Sequence, residues 1–325
     1  GKTTTIVEAV AARLTEPDDP AVALPASSVL VLTFGRRAAV ELRDRLAMRL
    51  GGGLLPTVAT FHSFAYGLLA QTTASADRGE LPRLMSGAEE DVRIRDLLVG
   101  GVESGRITWP DDLAAALPTL GLANEVRAVL ARARELDLSP TDLERIAREA
   151  KRPEWAAVAE LAREERDVVV LENVMDYAEL LRLAVVRAGW PEVQSALHQR
   201  YRAIYVDEYQ DTDPLQVRLL QRLVAPGAAL VAVGDPDQAI YGFRGADVSG
   251  LLQFPEQFRT SSGAPAPVIA LTRTRRFGPR VRAAAAGVLG SAVVPGLPTD
   301  ALRAHRSPVC VERDEPAADA VTLHA

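Results

Sequence analysis

The 325-residue chain is short of several things, and each shortage excludes a class of protein. A single cysteine, Cys310, excludes an internal disulfide and makes a reducing cytoplasm the expected compartment. With four histidines beside that one cysteine, a zinc site is not expected. No run approaches the ~20 consecutive apolar residues that span a bilayer, so no membrane partner is expected. The threonine-rich start lacks the basic stretch and apolar block of a secretory signal. Aromatic residues make up only 5% of the chain, so each one outside the core asks for a reason. Lysine occurs only at Lys2 and Lys151, which leaves arginine to carry nearly all positive charge and makes Lys2 conspicuous. The net charge of -6 does not favour nucleic acid as a partner over the whole surface, although a channel can be locally basic on an acidic protein. What remains, 48% hydrophobic and 25% charged, suits a folded chain long enough for two or three domains.

Read in order, the chain alternates helix and strand. "KTTTIVEAVAARL" puts Ile6, Val7, Val10 and Leu14 on one helical face. After a turn-rich stretch, "SVLVLTF" (28–34) is a short continuous apolar run, the mark of a strand buried on both faces. "RRAAVELRDRLAMRL" is a helix stopped by Gly51, Gly52 and Gly53, and "PTVATFHSFAYGLL" is a brief strand entering a helix. This is the alternation of a parallel α/β sheet. From about Gln71 to Gln199 strand signals vanish and amphipathic helices take over, punctuated by Pro153 and Pro191. Strands return at 201–208 and 228–235, and a further one, "APVIALT", is expected after the linker at 261–265.

Two stretches carry chemistry. "AIYVDEYQDTDPLQ" ends an apolar strand in Asp207 and Glu208, and open α/β sheets bind ligands just outside their strands' carboxyl ends. Alone, an acid pair there is unremarkable. Upstream, however, "GKTTT" sets Gly1, Lys2, Thr3 and Thr4 at a helix start, which is the closing part of a phosphate-binding loop. Together they suit metal-assisted nucleotide chemistry: Lys2 on phosphate oxygens, Thr3 and Asp207 on Mg²⁺, Glu208 orienting and deprotonating water. "VGDPDQAIYGFRGAD" follows the next strand, with Gln238 able to sense a γ-phosphate. Tyr241, Phe243 and Arg244 in a Gly-rich loop suit a platform for unpaired bases, each stacked base being worth ~1–3 kcal/mol.

"GKTTT", "VLTFGRRAAVEL", "TFHSFA", "VDEYQDTDPLQ" and "GDPDQAIYGFRGAD", in that order, resemble the motifs of UvrD/Rep-type superfamily 1 DNA helicases, from Gly1 to about Arg276. "DYAELL" (176–181) resembles the acidic-aromatic segment ahead of the carboxylate strand. The resemblance implies a RecA-like P-loop NTPase sheet with an inserted all-helical subdomain and the start of a second RecA-like domain. It implies motor domain 1A at 1–72 and 200–260, helical insertion 1B at 73–199, and the beginning of domain 2A at 261–325. The sequence is expected to begin inside the phosphate loop and to stop before the later motifs, so that this stretch alone hydrolyses little or no ATP.

The same resemblance implies ATP and Mg²⁺ as cofactors, with Gln238 coupling the γ-phosphate to the DNA-contacting loop. It places Phe34, Arg37, Thr60, Phe61 and His62 on single-stranded DNA, with Tyr241, Phe243 and Arg244 as stacking platform and strand contact. Arg276 aligns with the arginine that reaches the γ-phosphate, and Arg273 and Arg275 stand as alternatives. Three departures are visible: Arg275 replaces a tyrosine that stacks on adenine, Phe277 replaces a serine, and Gly35-Arg36-Arg37 replaces Thr-Asn-Lys. The implied activity is ATP-driven translocation on single-stranded DNA, 3′ to 5′, with duplex unwinding in repair or recombination. Single-stranded and duplex DNA and a helicase or nuclease subunit are the implied partners. Composition and "LMSGAEED" (84–91) resemble actinobacterial helicases fused to RecB-like nucleases, although no nuclease residues lie within the stretch. Two rival classes remain: a P-loop ATPase that does not act on DNA, and an inactive accessory subunit that binds it.

Overall fold

Four short aliphatic runs, each followed by a helix, pair into one parallel sheet. The computed structural model describes residues 1–15, 23–75, 80–239, 248–289 and 299–311. Its main sheet is formed by β1 (Val29–Thr33), β2 (Thr57–Thr60), β5 (Ala203–Val206) and β6 (Ala229–Ala232) in the order β2-β1-β5-β6. Every pairing is parallel, with Val29 opposite Ala203 and Leu30 opposite both Thr57 and Ile204.

The period of two along each strand divides the core. Val29, Val31, Ala203 and Tyr205 face α1 (Lys2–Thr15) and α2 (Arg36–Leu50), where Ile6, Val10, Leu42 and Leu46 meet them. Leu30, Leu32, Ile204 and Val206 face α3 (Phe61–Ser75), α8 (Tyr177–Ala188), α9 (Pro191–Arg200) and α10 (Pro214–Leu223). β1 and β5 are therefore buried along their whole length, as a continuous apolar run requires. α2 ends where the glycines stand: Gly51 takes the left-handed conformation at φ 66°, a position that costs glycine nothing.

A second core belongs to α4 (Gly87–Glu103), α5 (Leu120–Glu135) and α7 (Pro153–Leu171), built on Ile94, Leu98, Trp109, Val126, Leu130, Val158 and Leu161. α6 (Pro140–Ala150) packs through Leu143 onto Ala133 and Ala159. Pro153 and Pro191 open α7 and α9, where a missing N–H costs nothing. Helices α8 and α9 fall within the 73–199 stretch read as inserted, yet Leu180, Leu181, Ala184 and Leu197 share the core of the main sheet. The hydrophobic core thus does not divide at residue 199.

Two expectations are corrected. The region between Gln71 and Gln199 does contain strands: β3 (Arg83–Leu84) and β4 (Val174–Met175) pair in parallel. Strands of two residues are too short to show periodicity, so the sequence could not announce them. Conversely, the strand expected at "APVIALT" is absent; Ile269 is 82% exposed and Val268 about half exposed, so the apolar middle of the run lies open. The regular structure nearby is the two-residue pair β7 (Arg273–Thr274) and β8 (Val309–Cys310), with α11 (Val248–Gln257) before it and α12 (Pro279–Leu289) and α13 (Thr299–Arg306) between its strands. No helix among the described residues is long and apolar enough to cross a membrane.

Where the helical core meets the sheet core, Arg134 lies between Glu165 and Asp176, while Asp176 also caps α8 through the Glu179 N–H. Glu90 sits beside this cluster, and burial, then the Asp176 charge, push its carboxyl up to about 7 despite Arg127 and Arg134. Folded Glu90 therefore holds its proton at pH values where the unfolded chain has lost it. The resulting stability is complete below about pH 4.5 and drains away as pH rises through about 7. Glu90→Gln is expected to melt close to the parent at pH 4 and above it at pH 8. Thermal melts at the two pH values check this, and an equal shift at both would overturn it.

Candidate active site

With all four strands parallel, the segments after Thr33, Thr60, Val206 and Ala232 emerge on one rim. The start of α1 faces the same rim. Lys2 is its first helical residue, and the Lys2 ammonium donates to Glu208 Oε2. A cation at a helix amino terminus opposes the helix dipole, so Lys2 gains nothing from its own helix and is held by what lies opposite. Thr3 Oγ1 stands 3.5 Å from Asp207 Oδ2. Gly1 and Thr4 are exposed at the same helix end, where the first N–H groups lack intrahelical acceptors.

Asp207 is fixed from three sides. Its N–H donates to Leu32 O at 2.9 Å, its Oδ1 accepts the Glu208 N–H at 3.0 Å, and its side chain is buried, the residue being 2% exposed. Burial first, then the adjacent Glu208 charge, push its carboxyl up to about 6, with Lys2 and Thr3 pulling the other way. Such a carboxylate has much to gain from a cation. Asp207 and Thr3 are hard oxygen donors side by side, the donor set that suits Mg²⁺.

Glu208 follows in the left-handed region at φ 52° and ψ 46°, a strained backbone for a residue with a side chain. Two groups hold it there, Lys2 and Gln210, whose Nε2 donates to Glu208 Oε2 at 2.8 Å. Gln210 Oε1 in turn accepts the Asp235 N–H at 2.9 Å, tying the tip of β5 to the loop after β6. Gly234 makes room for this: a Cβ there would lie 3.1 Å from Gln210 Oε1 and 2.9 Å from Leu251 Cδ1. Asp211, next along, is likewise pushed up to about 6 by burial and then by Glu208.

Gln238 ends the turn Pro236–Gln238 and is exposed, with its Nε2 donating to Asp235 Oδ2 at 2.5 Å. Arg273, Arg275 and Arg276 are all exposed. Arg275 and Arg276 bear electrostatically on the start of α1.

The residues expected on DNA separate into four groups. Phe34 and Arg37 lie just past β1, Phe34 half-buried and Arg37 exposed. His62 stands on the first turn of α3 with its ring edge-on to Tyr177 at 5.2 Å, and burial, then Arg36, lower its pKa to about 4. Thr60 and Phe61 are turned inward. Thr60 caps α3, its hydroxyl sharing a 2.7 Å hydrogen bond with Ser63 and accepting the Ser63 N–H. Phe61 is 1% exposed and packs into the core with Leu30 and Leu32, because the first inward position of α3 faces the sheet. Tyr241, Phe243 and Arg244 lie outside the described residues.

Gln210, Asp235, His305 and Arg306 were not singled out from sequence. Gln210 had a signal, standing two places after Glu208 in the quoted motif. His305 and Arg306 had none, since their partners are set by tertiary packing. Phe61→Ala is expected to cost about 3–5 kcal/mol, as removal of a buried aromatic does. A lowered urea midpoint checks this; an unchanged midpoint with weakened DNA binding would return Phe61 to the DNA surface.

Comparison with known proteins agrees with this geometry. The family described as the UvrD/REP helicase N-terminal domain matches residues 1–259. The ATP-dependent DNA helicase UvrD2 of Mycobacterium tuberculosis is 32% identical over 314 residues, covering 90% of this chain and 40% of the relative. The ATP-dependent DNA helicase UvrD1 of Mycobacterium leprae is 28% identical over 274 residues, 79% of this chain and 33% of the relative. DNA helicase II of Escherichia coli is 27% identical over 235 residues, 71% of this chain and 30% of the relative. The chain thus spans 40% or less of the length of these relatives. Carrying its motifs in order on a parallel sheet, with Lys2 set against Glu208 at the rim, the chain belongs to the UvrD/REP helicase N-terminal domain family.

Proposed function

We propose that this chain is the nucleotide-hydrolysing part of a motor that moves along single-stranded DNA and separates duplex strands at the expense of ATP. The observation that carries the reading is the meeting of Lys2 with Glu208 and of Thr3 with Asp207 on the rim that also bears Phe34 and His62. One edge of the sheet thereby holds both a phosphate site and a candidate strand contact.

The residues divide the work as follows. Lys2 and the first N–H groups of α1 receive the β- and γ-phosphates, and Lys2 leaves Glu208 for them. Thr3 and Asp207 would hold Mg²⁺, which supplies neutralisation of phosphate charge and a fixed geometry. Glu208, freed from Lys2 but still bonded to Gln210, orients water and takes its proton. Gln238 exchanges Asp235 for the γ-phosphate, and Arg275 or Arg276 approaches from the segment after the linker. On the DNA side, Arg37 meets a backbone phosphate and His62 lies along the strand, with Tyr241, Phe243 and Arg244 as the stacking platform. Movement 3′ to 5′ follows the family, and a cytoplasmic setting with DNA as partner completes the reading. The domain division belongs to it too: 1–72 with 200–260 as the first motor domain and 261–325 as the start of the second. The helical insertion between them is better ended before α8, since α8 and α9 pack on the sheet.

Glu208→Gln, made in the complete protein, is expected to bind ATP as the parent does and to lose about 100-fold or more in turnover, the scale of a lost general base. Turnover near that of the parent would defeat the assignment. Phe243→Ala is expected to weaken stimulation of ATPase by single-stranded DNA while sparing turnover without DNA. Steady-state rates with and without an oligonucleotide decide it, and equal loss of both would place Phe243 in the core. A parent whose ATPase ignores DNA would favour a P-loop ATPase with another target.

A further inference from the structure

His305 and Arg306, at the end of α13, fall outside every motif that led to the site, yet they grip the loop carrying Gln238. Arg306 donates from Nε to Asp237 Oδ2 at 2.9 Å and from Nη2 to Asp237 Oδ1 at 2.6 Å, a two-pronged match that only arginine makes. His305 Nε2 lies 3.1 Å from Asp235 Oδ1 and 3.5 Å from Asp237 Oδ2. The Arg306 side chain is 14% exposed, so water screens this pair far less than an ordinary surface ion pair. Asp235, Asp237 and His305 also stand close enough together to hold a cation. Arg306 argues against that use, because its N–H groups already fill both Asp237 carboxylate oxygens.

Asp235 is a junction. Its Oδ2 accepts from Gln238 Nε2, its Oδ1 accepts the Asp237 N–H at 3.0 Å, and its own N–H donates to Gln210 Oε1. Gln210 is bonded to Glu208. A continuous path of hydrogen bonds thus runs from α13 through Asp235 to Gln238 on one branch and to Glu208 on the other. Arg306 and Asp237 lie 69 residues apart in the chain, so no local structure demands the contact.

We propose that His305 and Arg306 are positioning residues for nucleotide hydrolysis, holding Asp235 and Asp237 so that Gln238 and, through Gln210, Glu208 stand where the reaction needs them. The inference rests on the roles given to Glu208 and Gln238 under the proposed function, and it adds a second route by which the segment after the linker reaches the site. The first is the arginine, Arg275 or Arg276, that approaches phosphate directly in the proposed function; this one acts on the protein's own base and sensor.

The test is steady-state ATPase of the complete protein with saturating single-stranded DNA, together with affinity for a fluorescent ATP analogue and a thermal melt. Arg306→Gln and His305→Gln are each expected to lower kcat roughly 10- to 100-fold, the scale on which misplacing a reacting group by about 1 Å slows chemistry. KM for ATP, analogue affinity and melting temperature should stay near those of the parent. The exchanged pair Asp237→Arg with Arg306→Asp should recover much of the lost kcat, which a general loss of packing would not allow. Parent-like kcat in both single variants overturns the inference, and so does a parallel fall in kcat, affinity and melting temperature without recovery in the exchanged pair. A parent with no DNA-stimulated ATPase would instead remove the proposed function and this inference with it. An active parent with unaffected variants removes the inference alone.

Discussion

Strand direction is the constraint from which the site follows. β2, β1, β5 and β6 run one way, so their carboxyl ends share an edge, and segments scattered along the chain are brought together there. Both faces of the sheet are sealed by apolar side chains, Val29 and Val31 on one side and Leu30 and Leu32 on the other. Polar chemistry can then stand only at the ends of strands, where backbone groups still need partners and water still enters. The placement of Asp207 and Glu208 is thus a consequence of how β5 is buried. The amino end of α1 supplies the complementary charge.

What could be read from the sequence is what burial writes into it. β1, α2 and β5 were legible because a two-sided strand is a continuous apolar run and a helix ending in glycine announces its stop. The approach of Lys2 to Glu208 was legible too, since motif order and sheet logic put both at one rim. β3 and β4 were not, being two-residue bridges without a period. The membership of α8 in the sheet core was also hidden, because an amphipathic helix shows that it has an apolar face and not what covers it. The burial of Phe61 was hidden as well: the resemblance set it on the strand, and only the packing of α3 on the sheet turns its side chain into the core. Ile269 misled in the opposite sense, since a strand needs partners that sequence cannot supply.

Electrostatics explains why the rim is poised and not at rest. Asp207, Glu208, Asp211, Asp235 and Asp237 crowd into one region, and the carboxyls of Asp207 and Asp211 are both pushed up to about 6. A polyanionic nucleotide entering such a place would be repelled if the acids stood alone. Positive groups answer them from separate segments, Lys2 from α1 and Arg306 from α13, with His305 beside Asp235. The balance therefore depends on how those segments stand to one another. A chain with overall charge -6 can in this way present a local anion site without being basic.

Strain at Glu208 connects that balance to chemistry. A residue with a side chain in the left-handed region costs roughly 1–3 kcal/mol and persists only where its surroundings insist on it. Here the insistence comes from Lys2 and Gln210, which share the same carboxylate oxygen. In the proposed function phosphate competes for Lys2, which leaves Gln210 as the remaining tether. Gln210 is itself anchored to the Asp235 N–H across the gap that Gly234 keeps open. The Glu208 carboxylate, the base of the proposed function, is then held through Gln210 by the loop after β6, and whatever displaces that loop displaces it. In the motor proposed above, hydrolysis that answers to a distant strand calls for such an arrangement, because a rigidly self-supported Glu208 would not register that strand.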